Sequence, residues 1–181
     1  MKTEEDIFIK QLQDPNTAQT AFRQLVSEYK ERLYWHVRNM VKDHQDADDV
    51  LQNTFIKIYR NIGGFKGESK LYSWMYRIAT NESITFLNSK AKKLQVSSEE
   101  LQNNLINNLE SDVYFEGDEI QLKLQRAIAT LPQKQQKVFN MKYFQELKYR
   151  EMADILGTSE GALKASYHIA AKKIEEFLKS R

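Results

Sequence analysis

Hydrophobic residues recur at three- and four-residue steps along most of this chain, a spacing that places them on one face of an α-helix. The longest such pattern begins at Thr20 and ends at the polar run 42–45. A second continues to residue 58 after Asp46, which can cap the helix that it precedes. Residues 3–13 form a shorter amphipathic pattern. The periodicity predicts an all-α fold.

Near the C-terminus, residues 147–174 contain two short helical patterns that meet at a glycine. Gly157 suits the left-handed conformation that ends a helix, and Ser159 can cap the helix that follows. The short turn predicts a helix–turn–helix whose second helix projects outward, as in proteins that place a recognition helix in the DNA major groove. The alternative for this stretch is any small three-helix bundle.

Three glycines within residues 63–67 interrupt the helical pattern and predict a loop with unusual backbone freedom. The helix predicted after them interleaves aromatic rings with cationic and amide side chains and ends in a lysine cluster. Such a surface can stack on unpaired bases and contact phosphates. Its members are Tyr72, Trp74, Tyr76, Arg77, Asn81, Lys90, Lys92 and Lys93. For Trp74 and Tyr76, plain core packing is the alternative.

Charge is unevenly distributed along the 181 residues, although the formal net charge is only +2. Residues 56–93 contain eight Lys or Arg and two acids, whereas residues 95–119 contain seven acids and no base. One region therefore suits a polyanion and the other repels it. The absence of cysteine excludes disulfides and thiolate metal sites. Since no apolar run approaches membrane-spanning length, we expect no membrane insertion and a cytoplasmic protein.

Four polar side chains share the face of the 46–58 helix opposite its apolar stripe: Asp48, Asp49, Gln52 and Asn53. A metal-dependent nuclease could use Asp46 together with the two neighbouring aspartates, but no His or Glu is placed to complete the coordination. We therefore interpret this face as a partner-binding surface, and we expect neither metal nor cofactor.

Three blocks follow one another along the chain: DADDVLQNTFIKIYRN, GGFKGESKLYSWMYRIATN and, after an acidic segment, TLPQKQQKVFNMKYFQELKYREMADILGTSEGALKASYHIAAKKI. In this order they resemble the bacterial sigma-70 family, most closely its small two-domain extracytoplasmic-function (ECF) group. The resemblance implies a helical region 2 domain at residues 1–93, an acidic flexible linker at 94–119 and a region 4 helix–turn–helix domain at 120–181. It also implies a non-enzymatic subunit that binds core RNA polymerase and directs promoter-specific initiation.

The resemblance implies three functional surfaces. The clamp helices of polymerase would bind Asp48, Asp49, Gln52, Asn53 and Phe55. The minus-10 promoter element would be opened and read by the aromatic and basic helix described above, with a flipped-out base captured by Phe65, Lys66, Gly67, Glu68 and Ser69 and hydrogen-bonded by Asn81. The minus-35 element would be read by Ser159, Lys164, Ala165, Ser166, His168 and Lys172.

The recognition helix departs from the family pattern, because ASYHIAAKK has few of the basic residues that many members place there. Fewer arginines predict weaker or different reading of guanine. Promoter DNA and core RNA polymerase are the expected partners, together with an inhibitory anti-sigma factor. The alternative function is an autonomous helix–turn–helix regulator that binds duplex DNA without polymerase. Such a regulator has no need for a surface that holds unpaired bases.

Overall fold

The computed structural model describes residues 3–112 and 119–180, and these residues form α-helices joined by short connections, with no β-strand among them. The all-α prediction is therefore confirmed. Short 3₁₀ turns follow the third and fifth helices, at Ile62–Gly64 and Leu109–Ser111. The helices are α1 (Glu4–Gln13), α2 (Ala18–Val41), α3 (His44–Asn61), α4 (Leu71–Leu94), α5 (Ser98–Asn108), α6 (Glu119–Ala129), α7 (Gln133–Tyr143), α8 (Tyr149–Leu156) and α9 (Glu160–Lys179).

The N-terminal half is a bundle in which α2, α3 and α4 pack against one another and α1 packs on α2. The predicted apolar stripes face inward, and Leu25, Leu33 and Met75 are completely buried. One detail of the prediction is wrong. Asp43, rather than Asp46, caps α3, since the Asp43 side chain accepts a hydrogen bond from the Asp46 backbone N–H at 2.9 Å.

The C-terminal half contains the predicted helix–turn–helix, formed by α8 and α9. Gly157 ends α8 in the left-handed conformation, with φ of 64°, and the Ser159 hydroxyl accepts a hydrogen bond from the Ala162 N–H at 3.2 Å. Both predicted capping roles are confirmed. Helices α6 and α7 pack against α9 around a second apolar cluster that includes Ile128 and Phe139.

The two halves pack directly against each other, because α8 lies against α4. Met75 of α4 belongs to the same buried apolar cluster as Met152 of α8 and Leu163 of α9. The acidic segment between the halves contains α5, which packs against both α4 and α6. Residues 113–118 of that segment lie outside the described residues.

Buried cations join α2 to the segments that follow the bundle. Arg38 pairs with Asp112 at 2.5 Å and also donates to the Lys42 carbonyl, while the Lys42 ammonium donates to Gln125 of α6 at 2.5 Å. Burial, together with the nearby Arg38 charge, lowers the pKa of Lys42 to about 7. Because buried ion pairs lose hydration, such contacts fix a geometry more than they add stability.

Candidate polymerase and nucleic-acid interfaces

The predicted polymerase-binding face lies along the exposed side of α3. Asp48, Asp49, Gln52 and Asn53 are all exposed, as the helical period requires once the apolar stripe is buried. Phe55 is half-buried, and its ring meets the ring of Phe22 edge-on, with centroids 6.4 Å apart. The structure thus brings the five predicted side chains onto one helix.

Two apolar side chains on α3 enlarge this surface and were not predicted from the sequence. Ile56 is 42% exposed and Tyr59 is 53% exposed, and the Tyr59 ring packs edge-on against Phe22 with centroids 4.9 Å apart. Exposed apolar groups that are rimmed by polar ones are typical of protein-binding surfaces. The sequence did contain a signal for these two residues. Both lie outside the apolar stripe that α3 buries, so helical spacing alone places them on its exposed side.

The alternative metal site does not form in the described residues, where no group of three or more His, Cys, Asp or Glu side chains is arranged to hold an ion. Asp46 instead forms an ion pair with Lys90 of α4. This pairing also changes the expectation for Lys90, because its ammonium is engaged by a carboxylate within the bundle. The neighbouring Lys92 and Lys93 are exposed.

The predicted minus-10 loop follows α3 and leads into α4. Phe65 is buried, with its ring tilted against that of Trp74 at a centroid distance of 5.1 Å, whereas Lys66, Gly67 and Glu68 are exposed and Ser69 is half-buried. Gly67 has φ of 72°, a left-handed conformation that favours glycine.

A cleft of about 480 Å³ separates this loop from α4. Trp74 and Arg77 form its helical wall, and Asp154 of α8 lies at its edge. The remaining lining residues belong to the loop and its preceding turn: Gly64, Phe65, Lys66, Glu68 and Ser69. The structure therefore brings four of the five predicted loop residues, all but Gly67, together with Trp74 and Arg77. Asn81 is exposed further along α4 and does not line the cleft.

The prediction that Tyr76 stacks on bases is corrected by the structure, since its side chain is completely buried. Its ring lies 4.9 Å from that of His36 on α2, and Thr80, one turn later, meets His36 Nε2 at 2.8 Å. The face of α4 that contains Tyr76 and Thr80 is thus the one that packs on α2. Trp74 and Tyr72 are half-buried and remain partly accessible.

Helix α8 covers part of the predicted minus-10 surface. The Arg77 guanidinium donates to the carbonyls of Asp154 and Ile155, the latter at 3.2 Å, at the C-terminal end of α8. A cation is favourable there, because the free carbonyls and the helix dipole make this end negative. On the same side, burial and the adjacent Glu151 carboxylate raise the pKa of Tyr72.

The outer face of α9 is open in this arrangement. Lys164, His168 and Lys172 follow one another at four-residue intervals and are exposed, as is Ala165, while Ser166 is half-buried and Ser159 caps the helix. Sequence reasoning missed a neighbouring cation. Lys142 of α7 lies 4.9 Å from the ring centroid of Tyr149, and Lys164 approaches the same ring at 5.7 Å.

Comparison with known proteins identifies the two halves of this architecture. The family model for sigma-70 region 2 matches residues 25–93, and that for sigma-70, region 4 matches residues 121–174. The chain belongs to the sigma-70 family. As an ECF-type sigma factor, it binds core RNA polymerase and directs promoter-specific initiation of transcription. A match that includes region 2 does not favour the autonomous-regulator alternative.

Among curated relatives, the sigma factor is 28% identical over 166 residues to the RNA polymerase sigma-H factor of Pseudomonas aeruginosa, covering 87% of this chain and 86% of that relative. It is also 28% identical over 169 residues to the ECF RNA polymerase sigma factor SigW of Bacillus subtilis, covering 89% and 90% of the two chains.

Two solved structures share the fold of this sigma factor. CnrH, in complex with the cytosolic domain of CnrY, aligns with a TM-score of 0.70 and 22% identity over 96% of both chains. RpoE of Bartonella quintana, in complex with the anti-sigma factor NepR, aligns with a TM-score of 0.65 and 18% identity over 87% of this chain and 96% of that one.

Across residues 3–112 and 119–180, none of the helices combines the length and apolar character needed to span a membrane.

Proposed function

We propose that this sigma factor reads promoters with two separate surfaces and binds polymerase with a third. The cleft between the glycine-containing loop and α4 reads the minus-10 element, and the outer face of α9 reads the minus-35 element. The polar face of α3, extended by Ile56 and Tyr59, binds the clamp helices of core polymerase. The cleft is the observation on which this proposal chiefly rests, because a reader of intact duplex has no use for it.

The chemistry of the cleft suits a base that has left the stack. Trp74 offers a half-buried aromatic wall, and Lys66 and Glu68 offer exposed polar groups beside it. Stacking on an aromatic ring is tolerant of sequence, whereas polar groups from a loop can read the Watson–Crick edge. Arg77, Lys92 and Lys93 supply positive charge along α4 for the phosphates of the separated strand.

The outer face of α9 suits duplex DNA in the major groove. Lys164, His168 and Lys172 present donors along one line, whereas the exposed Ala165 and Ile169 present apolar groups. Donors of this kind contact phosphates and guanine, and apolar groups contact the thymine methyl. We therefore propose that minus-35 reading depends less on bidentate arginine contacts and more on thymine methyl groups.

Helix α8 covers part of the minus-10 surface, so α8 has to move away from α4 before this surface can read promoter DNA. Arg77 is held by α8, and Asp154 stands at the edge of the cleft. A DNA phosphate at Arg77 would have to displace the carbonyls of Asp154 and Ile155 from the guanidinium. It would also lie near the Asp154 carboxylate. We propose that polymerase binding separates α8 from α4, and that an anti-sigma factor favours the form in which α8 covers the minus-10 surface. The protein acts in the cytoplasm without catalysing a reaction itself.

Transcription in vitro with core RNA polymerase tests the proposal. Fragments of the source genome should give discrete new transcripts only when the sigma factor is present, and their upstream sequences should share two promoter elements. Trp74→Ala should abolish these transcripts without weakening polymerase binding, whereas Asp49→Lys should weaken polymerase binding itself. If transcripts are absent while the protein alone shifts duplex DNA, the division of promoter reading proposed here is wrong.

A further inference from the structure

Helix α1 lies outside the residues matched by sigma-70 region 2, which begin at residue 25, yet it contacts both ends of the minus-10 loop. Leu12 anchors it in the core of the bundle with 2% exposure, and Phe8 and Ile9 pack against the same core. An anchored helix can hold a second segment in place, whereas a terminus without such packing frays.

Gln13, the last residue of α1, holds the start of the loop. Its side-chain amide donates to the carbonyls of Ile62 and Phe65, each at 2.9 Å, across 49 and 52 residues of sequence. One NH₂ group therefore spans the whole 3₁₀ turn that leads into the loop. Because the peptide group is planar and trans, fixing the Phe65 carbonyl also fixes the direction of the Lys66 N–H.

Glu5, two turns earlier on α1, holds the end of the loop. Its carboxylate accepts a hydrogen bond from the Leu71 N–H, the first of α4, at 2.6 Å. The residue that precedes α4 is Lys70, whose side chain has no acceptor atom with which to cap the helix. The carboxylate of Glu5, from another helix, thus takes the place of an N-cap side chain. Its negative charge also interacts favourably with the positive N-terminal end of the α4 dipole.

We propose that Gln13 and Glu5 are positioning residues that fix the minus-10 loop in its base-reading conformation. This inference rests on the proposed role of the cleft and deepens it. The two side chains bond to the backbone at the two ends of the loop and leave Lys66, Gly67 and Glu68 exposed between them. They act through the loop backbone and make no contact with DNA themselves.

The test compares wild type with Gln13→Leu, which keeps the size of the side chain and removes the donor. Gln11→Leu is the matched control, because Gln11 is exposed on the same helix. Each full-length protein is assembled with core polymerase and assayed on promoters that carry all four bases at each minus-10 and minus-35 position. Polymerase binding and the thermal midpoint of the free protein are measured in parallel.

Gln13→Leu should reduce the preference for the best base over the others at the minus-10 element about two- to tenfold, the range expected for losing the net contribution of a hydrogen bond. Its minus-35 preference and polymerase binding should match wild type, as should every property of Gln11→Leu. Glu5→Leu should give a loss of the same kind, and Glu5→Gln, which keeps an acceptor oxygen, should restore most of the preference.

A purely structural role would lower the thermal midpoint and total transcription while leaving the minus-10 base preference unchanged, and that result would overturn the inference. Failure of the wider proposal looks different. In that case wild type itself would give no sigma-dependent transcripts, or its transcripts would show no minus-10 preference for Gln13→Leu to lose.

Discussion

His36 is a buried histidine on α2, where it lines a cavity together with Thr80 of α4 and Asn140 of α7. Its Nε2 lies 2.8 Å from the Thr80 hydroxyl, and its ring packs against the buried Tyr76. Burial lowers the pKa of His36 to about 4 from its ordinary value of 6.5, so the folded protein holds a neutral imidazole at neutral pH.

This histidine predicts an acid-sensitive bundle. Because the folded pKa lies below the unfolded one, the unfolded state binds the additional proton, and stability is lost as pH falls from 6.5 to about 4. The loss contributed by His36 is roughly 3 kcal/mol. Urea unfolding at several pH values across this window should show the decline in wild type and a shallower decline in His36→Gln. Equal pH dependence in the two proteins would exclude His36 as a major cause.

Lys164 allows a prediction about the minus-35 surface. If its ammonium contacts a phosphate, Lys164→Ala should weaken promoter binding by the polymerase complex similarly for all minus-35 sequences. The slope of log affinity against log salt should become shallower by about 1. Binding titrations across salt concentrations measure both effects.

The control for Lys164 is Lys173→Ala, which removes the same charge from α9. The Lys173 ammonium lies 3.4 Å from the side-chain oxygen of Gln135 of α7. Lys173 is therefore on the side of α9 that faces α7. It should leave the salt slope nearly unchanged. A loss confined to one minus-35 position in Lys164→Ala would make Lys164 a base reader instead.

At the scale of single elements, the turn between α8 and α9 depends on backbone conformation rather than on space. Gly157 has φ of 64°, and a Cβ added to it would meet nothing within 4 Å. Gly157→Ala should therefore destabilise the protein by about 1 kcal/mol, the cost of a left-handed conformation for a residue with a Cβ.

Gly161 provides the matched comparison, because a Cβ there also meets nothing within 4 Å but the residue lies in the first turn of α9. Gly161→Ala should be neutral or stabilise the protein by up to about 1 kcal/mol. Urea unfolding of the two variants should give effects of opposite sign or nearly so. Equal destabilisation would show that space, and not φ, limits both sites.

The helices themselves were largely predictable, because apolar spacing and capping residues are local signals. The apolar residues of α2, α3 and α9 repeat at helical spacing, and Ser159 and Gly157 take their predicted capping roles. The exact start of α3 was not predictable, because Asp43 and Asp46 are both residue types that can cap a helix. Which of them is the cap depends on which adopts the extended backbone conformation, and in the structure this is Asp43. Helix α5 was missed within a segment interpreted from its acidic composition.

At the scale of the whole molecule, the two halves share buried apolar surface, and α8 covers part of the face proposed to read the minus-10 element. Reading the minus-10 element requires α8 to leave this face, which predicts a large change in the distance between α8 and α4 when polymerase binds. The polar contacts at the junction, such as Lys42 with Gln125, replace hydration that is recovered when the halves separate.

Fluorescence energy transfer can follow this opening. Because the chain has no cysteine, two introduced cysteines would be the only sites that thiol-reactive dyes label. Lys70 and Arg150 both line a second cleft, in which the end of the minus-10 loop faces α8, so labels on Lys70→Cys and Arg150→Cys should give high transfer in the free protein. Core polymerase should lower that transfer strongly. Labels on Arg150→Cys and Lys179→Cys, both within the C-terminal half, should change little. Unchanged transfer in the first pair would contradict opening.

The sequence by itself determined the helical class, the helix–turn–helix and the family, because periodicity, capping and motif order are properties of neighbouring residues. Only the tertiary structure decided which face of α4 is buried. Tyr76 and Trp74 are equally plausible stacking residues from spacing alone, but packing on α2 places the first in the core and leaves the second beside the cleft. The hydrogen bonds of Gln13 with Phe65 and of Arg77 with α8 likewise join residues at least 50 positions apart. No local sequence pattern predicts such contacts.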